Sequence, residues 1–324
     1  MERIPLSNAA FEGDNNAYLF ADGPETVLVD TGDWTDRTRE QLAASLGRHG
    51  VEFGDVDRVF LTHWHADHAG LAGAIQAASG APVYVHEADA ALVAGDADAW
   101  DALDATMEER FADWGMPEAE RATLRETLVD PDTLGPWPDV TTFTGGETFS
   151  VDGAPIEAVH APGHAAGLCL FECEGIVLSG DALLPKYTPN VGGADVRVAD
   201  ALAKYLRTLD GIVAADYDRA WPGHRDPIED PGTRAETIIE HHEERAWRVL
   251  DALRRRGPCD AWTVSADLFG ALDGIHVLHG PGEAAAHLDH LVEAGDVVRT
   301  GREYCLAEGV AERLDGDGRW PLER

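Results

Sequence analysis

Thr62-His63-Trp64-His65-Ala66-Asp67-His68 stands directly behind an apolar stretch, residues 58–62, that reads as a β-strand. In extended backbone, side chains two positions apart point the same way, so His63 and His65 can share one cation. Where the chain then turns into a helix, Asp67 and His68 face a second position a few ångströms away. One short segment thus supplies ligands for two metals. Histidine fills 14 of 324 positions, so three of them with an aspartate at these offsets would arise by chance in roughly one chain in several hundred. That sets aside an accidental polar cluster on the surface.

Three further segments place one ligand-type residue each at a glycine-marked turn behind an expected strand: Ala161-Pro162-Gly163-His164, Ser179-Gly180-Asp181 and Trp221-Pro222-Gly223-His224. Strand ends converging on one rim would assemble the site. Around them the pattern alternates. Strands are expected at 17–20, 27–30 and 83–86, with helices at 36–48 and 70–78, then a helical stretch from 87 to 128 broken at Gly115-Met116-Pro117. Its stripe of Trp100, Leu103, Met107, Phe111 and Trp114 fits core packing or a cap over a pocket. A second β-rich stretch follows at 141–144, 147–151, 155–161, 168–173 and 176–179. Two β-rich halves with helices between and outside them imply two sheets packed face to face under helical layers, an α+β sandwich.

This order of motifs resembles the metallo-β-lactamase superfamily, and within it the glyoxalase II-like branch, over about residues 15–228. The resemblance implies an αββα sandwich with His63, His65 and His164 on a first metal, Asp67, His68 and His224 on a second, and Asp181 bridging them. It implies a binuclear hydrolase in which a metal-bridging hydroxide attacks, with Asp67 and Asp181 orienting it. Nitrogen and oxygen ligands without thiolate suit Zn²⁺ and tolerate Mn²⁺ or iron. True β-lactamases of the superfamily usually carry cysteine or serine where Asp181 stands, which disfavours a lactam. A glutamate usual in flavodiiron proteins is replaced by His65, and the 42 residues between Asp181 and His224 leave no room for the large RNA-processing insert. A small-molecule thioester or ester is the expected substrate. The Pro222-Gly223-His224-Arg225-Asp226 segment lacks the glutathione-binding pattern of true glyoxalase II.

Other residues carry weaker signals. His86 and His160 are expected to be structural, and Cys169 and Cys173 to pack as small apolar groups on one strand face. Lys186, Tyr187 and Asn190 follow Asp181 in a loop that should border the site, where the lysine would either meet a substrate carboxylate or phosphate or stand in solvent with no role.

Residues 1–230 are expected to form the hydrolase domain, with a cap at about 87–129, and 231–324 a second domain. The latter reads as a long helix at 234–255, helices at 263–268 and 283–293 behind Gly280-Pro281-Gly282, and a hairpin of 297–300 with 303–307. Helix, helix, hairpin is the order of a winged helix. It resembles β-lactamase-like proteins with an appended winged helix, some of which are single-strand-specific endoribonucleases, the alternative function. His242 stands where those usually carry arginine. Residues 231–324 hold 11 arginines against 18 acidic residues, and 283–293 has no arginine or lysine for phosphates. A packing or dimerisation module is the first expectation, nucleic-acid binding the second.

Composition agrees with a soluble enzyme. A net charge of −35, with 25 basic and 60 acidic residues, resembles proteins of salt-loving organisms, where ionic strength screens self-repulsion. The start lacks a signal-peptide pattern, no apolar run reaches the roughly 18–20 residues that span a bilayer, and four cysteines are too few for a disulfide framework. The expectation is a cytoplasmic protein with no membrane contact.

Overall fold

A computed structural model describes residues 1–8, 13–127, 135–272, 274–314 and 318–324. The first sheet runs β1 (Glu2–Leu6), β2 (Asn15–Phe20), β3 (Val27–Val29), β4 (Arg58–Phe60), β5 (Val83–His86) and β6 (Val140–Phe143) in chain order. The first three strands pair antiparallel, and β3 to β6 are parallel. The second sheet holds β7 (Thr148–Val151), β8 (Ala154–His160), β9 (Cys169–Cys173), β10 (Ile176–Gly180) and β11 (Arg219–Pro222), with β11 parallel to β10 and the other pairs antiparallel.

The two-residue period of each strand sorts its side chains between layers. Tyr18, Phe20, Phe60, Phe143, Cys169, Phe171 and Leu178 meet between the sheets. Cys169 is buried there and half-buried Cys173 packs on the same cluster, as expected. The opposite faces of the first sheet, with Ala17, Leu19, Leu28 and Val59, are covered by α1 (Asp36–Arg48) and by α3 (Ala72–Ser79), which follows the single-turn α2 (Ala66–Ala69). Thr35 caps α1 by accepting from the Thr38 N–H, and Arg48 closes its last turn. This is the expected αββα layering. β1 was not foreseen.

The expected helical stretch forms α4 (Glu87–Val93), α5 (Ala97–Asp113) and α6 (Glu118–Thr127), and its positions 128 and 129 lie outside the described residues. α7 (Ala201–Ala215), α8 (Pro231–Arg256), α9 (Ala261–Phe269) and α10 (His276–Glu293) cover the outer face of the second sheet, followed by the hairpin β12 (Val297–Thr300) and β13 (Glu303–Leu306) and by α11 (Val310–Arg313). Leu170, Val177 and Ala220 of the sheet share one cluster with Leu202, Ile238, Val264 and Leu288 of these helices. Asp230 caps α8, Pro231 starts it, and Arg254, Arg255 and Arg256 fill its last turn.

One boundary lies well away from its expected place. α10 begins at His276, and Gly280-Pro281-Gly282 lies inside it. Proline costs the helix one backbone hydrogen bond, but the glycines let the helix sit where side chains would collide. A Cβ on Gly280 would come 2.3 Å from Leu272, and one on Gly282 would come 2.4 Å from Gly193 Cα. Packing outweighs local propensity here. No helix among the described residues is long and apolar enough to cross a membrane.

Candidate metal centre

The seven expected ligands emerge where strands end. β4 leads into the His63–His68 segment and α2; β8, β10 and β11 precede His164, Asp181 and His224. The structure brings all seven together. His63 Nε2 lies 2.9 Å from His65 Nδ1, and His164 Nε2 lies 3.2 Å from the same atom. In the second group, Asp67 Oδ2 is 3.9 Å from His68 Nε2 and 3.5 Å from His224 Nε2. Asp181 stands between the groups: Oδ2 is 3.7 Å from His164 Nε2 and 3.3 Å from His224 Nε2, and Oδ1 is 3.5 Å from His68 Nε2.

The outward ring nitrogens are all held by oxygen. His164 Nδ1 meets Asn190 O at 2.9 Å, His65 Nε2 meets Ala194 O at 3.1 Å, and His224 Nδ1 meets Gly13 O at 3.0 Å. His68 Nδ1 meets Asp30 Oδ2 at 2.9 Å, and His63 Nδ1 meets Thr62 Oγ1 at 3.0 Å. Such partners take the ring proton and leave the opposite nitrogen free to bind. Asn15 and Asn8 amides donate to Asp67 Oδ2 at 3.0 and 3.2 Å. His68 Nε2 and Asp181 Oδ1 are buried and find no hydrogen-bond partner among the described residues, which in a buried polar cluster marks the place of an ion or water. The donor set and its orientation fit divalent cations.

Asp30 was missed by the sequence reading. Its carboxylate accepts from Thr62 N and Thr62 Oγ1, both at 2.8 Å, as well as from His68. Because the Thr62 hydroxyl gives its proton to Asp30, its oxygen can accept from His63, so one carboxylate orients an imidazole in each group. Its φ of 58° is left-handed, which aspartate tolerates better than most residues. The Asp30-Thr31-Gly32 turn behind β3 was the available signal. A second missed feature is the buried pair Asp89 and Asp195. They accept from Trp64 N (3.2 Å), Trp64 Nε1 (3.3 Å), Gly167 N (3.0 Å) and Ala166 N (2.9 Å), and Arg197 pairs with both. Burial raises Asp89 to about 6 even beside Arg197.

Charge differs between the ligand groups. Burial holds His63, His65 and His164 below the ordinary imidazole range, His65 to about 4 with His164 beside it. In the second group burial also opposes charge, but Asp181, Asp67 and Asp30 outweigh it at His68, and Asp181 and Asp67 lift His224 to about 9. Against its own burial, Asp181 is held well below the usual carboxylate range by His224 and His68. His86 and His160 stay outside, stacked with ring centroids 4.0 Å apart and bonded to the Thr144 and Ala166 carbonyls.

A cavity of about 850 Å³ opens over His65, Asp67, His164, Asp181 and His224. Trp100, Leu103 and Met107 of α5 line it, so the helical stripe serves both cavity and core; Phe111 and Trp114 are buried. Phe269, Leu272 and Leu278 line it as well. Lys186, Arg225 and Arg234 gather at the exposed Tyr187, with the first two cations 5.1 and 5.0 Å from its ring centre. Among the described residues none of the three has a carboxylate within 4.0 Å.

A layered sandwich with histidine and carboxylate clusters behind its strand ends is the build of metal-dependent hydrolases. A match to the metallo-beta-lactamase superfamily spans residues 10–224, and the chain belongs to that superfamily. It is 28% identical to the Beta-lactamase-like protein 2 homolog of Drosophila melanogaster over 74% of this chain and 68% of that protein. It is 28% identical to the Lactamase-like protein vrtG of Penicillium aethiopicum over 74% of this chain, and spans 60% of that protein's length. The metallo-beta-lactamase family protein TTHA1429 from Thermus thermophilus is similar along 94% of this chain and 98% of its own, with 32% identity and a TM-score of 0.81. TTHA1623, solved in a di-iron-bound form, shares 25% identity and a TM-score of 0.50 over 72% of this chain and 97% of its own.

Proposed function

We propose that the protein is a binuclear metal-dependent hydrolase of a small anionic ester or thioester. The observation that carries this reading is the Asp181 carboxylate lying within 3.7 Å of inward histidine nitrogens from both groups. His63, His65 and His164 would hold one cation, Asp67, His68 and His224 the other, and Asp181 would bridge. When bound, such a pair ionises water near neutral pH and polarises the carbonyl under attack. Asp67, fixed by two asparagine amides, and Asp181 would orient the nucleophile and offset positive charge. The apolar walls would hold the acyl part, and the cations at Tyr187 a carboxylate or phosphate. Zinc suits the donors, and iron is supported by the di-iron relative.

Residues 231–324 are read as an appended winged-helix module that walls the pocket. α10, its would-be recognition helix, buries twelve residues including Leu278, Glu283 and His287, which leaves little of it for a DNA groove. The test compares metal content and turnover of wild type and Asp181→Ala on a thioester panel and on single-stranded RNA. Metal-dependent thioester or ester turnover lost in the variant supports the reading. RNA cleavage lost in the variant, with no thioester turnover, replaces it by an endoribonuclease.

A further inference from the structure

We propose that Glu283, far along the chain on α10, is a positioning residue for the first ligand group, acting through Asn190. The inference rests on the metal reading above. The loop 190–194 supplies both carbonyls that orient this group, Asn190 O to His164 and Ala194 O to His65. That loop is fastened to α10. Asn190 Nδ2 donates to Glu283 Oε2 at 2.9 Å and to His279 O at 3.1 Å, and Val191 N donates to Glu283 Oε2 at 3.4 Å. Asn190 Oδ1 accepts from Gly193 N at 3.0 Å, closing the loop on itself. Backbone meets backbone alongside, because a Cβ on Gly282 would fall 2.4 Å from Gly193 Cα and 2.6 Å from Gly193 N.

Glu283 is 4% exposed, and its second oxygen pairs with Arg245 of α8. His242, Glu283 and His287 bring ligand-type atoms within 4.8 Å of one another, yet the Arg245 guanidinium already supplies the positive charge there. The carboxylate is therefore committed to two tasks, neutralising Arg245 and clamping the loop. A continuous chain of bonds runs from Arg245 through Glu283 and Asn190 to His164. Residues outside the ligand set thus fix the direction in which His164 offers Nε2, and the second group, oriented by Asp30, Asn15 and Gly13, has no share in this chain.

The test is titration of the metal-free protein with cobalt(II) against a competing chelator, the two affinities being assigned with His65→Ala and Asp67→Ala. Asn190→Ala and the double variant Glu283→Leu/Arg245→Met remove the clamp. The double variant leaves no lone buried charge behind. Each is expected to weaken the first group by about 10–100-fold and to leave the second within about threefold. Glu283→Gln/Arg245→Met, which keeps an acceptor oxygen, should recover most of the loss. In the cobalt-loaded protein the exchangeable His164 Nδ1 proton should trade with water faster in the first two variants and not in the third. If the double variants do not fold, Asn190→Ala carries the test. Equal loss at both groups, or no loss at either, would overturn the inference. A wild type that takes up no cobalt would overturn the metal reading together with it.

Discussion

Replacing Asp30 by asparagine tests the orientation of the ligands with almost no change of shape. Asparagine accepts the left-handed backbone at φ 58° and keeps one oxygen for the Thr62 N–H, which lies 2.8 Å from Asp30 Oδ1. Its amide nitrogen, however, falls where Oδ2 accepts from His68 Nδ1 at 2.9 Å and from the Thr62 hydroxyl at 2.8 Å. Two donors then face each other unless His68 moves its proton to Nε2, the atom that points at Asp67 and Asp181. A protonated Nε2 cannot bind a cation. Stability should fall by about 1–3 kcal/mol, the usual cost of a broken charge-assisted bond. Affinity of the Asp67–His68–His224 group should fall by about 10–100-fold, with a smaller loss at His63, which leans on Asp30 only through Thr62. Zinc titration against a chromophoric chelator reads both affinities, and thermal melting reads the stability. Affinities within about threefold of wild type would refute the reasoning, because Asp30 would then be a bystander.

Gly223→Ala should lower zinc affinity at least tenfold or so, as lost ligand geometry does, while circular dichroism keeps its shape. Its Cβ would lie 2.3 Å from Asp181 Oδ1 and 2.6 Å from His68 Cε1, and full metal loading would contradict the geometry. Burial and neighbouring cations hold His242 and His287 well below 6.5, so below that pH the unfolded chain binds the extra protons and stability falls on acidification. Each histidine adds about 1.4 kcal/mol per pH unit; urea melts from pH 6.5 downward should show a shallower slope for His242→Leu/His287→Leu, and identical slopes would sink the assignment. Raising KCl from about 0.1 to 1 M shortens the screening distance from about 10 to 3 Å. With a net charge of −35 the melting temperature should climb, by roughly 2–4 °C for each kcal/mol of repulsion relieved, and a decrease would show that carboxylate repulsion does not limit stability.

The layers and the meeting of seven ligand-type side chains were legible because each rests on local pattern: alternation within strands, and histidines or aspartates at glycine-marked strand ends. His63 and His65 converge as their spacing demands, although β4 ends at Phe60 and not at Thr62. What stayed hidden depends on contacts that sequence spacing does not encode. Asp30 looks like one more residue of an acidic chain until the fold lays Thr62 and His68 against it. Asp89 and Asp195 are 106 positions apart, and only the fold reveals them as one pair around Arg197.

Gly280-Pro281-Gly282 is the most telling case, since the rule that misplaced the start of α10 is sound for an isolated helix. Proline and glycine weaken a helix where nothing else supports it. Here Leu272, Ser265 and Gly193 press against this segment so closely that a side chain would collide. The same absence of side chains that argues against a helix in solution lets α10 approach the loop carrying Asn190 and Ala194. The poor local propensity is therefore coupled to the site. Exchanging those glycines for better helix formers would improve the helix alone and push it away from the carbonyls that orient His164 and His65.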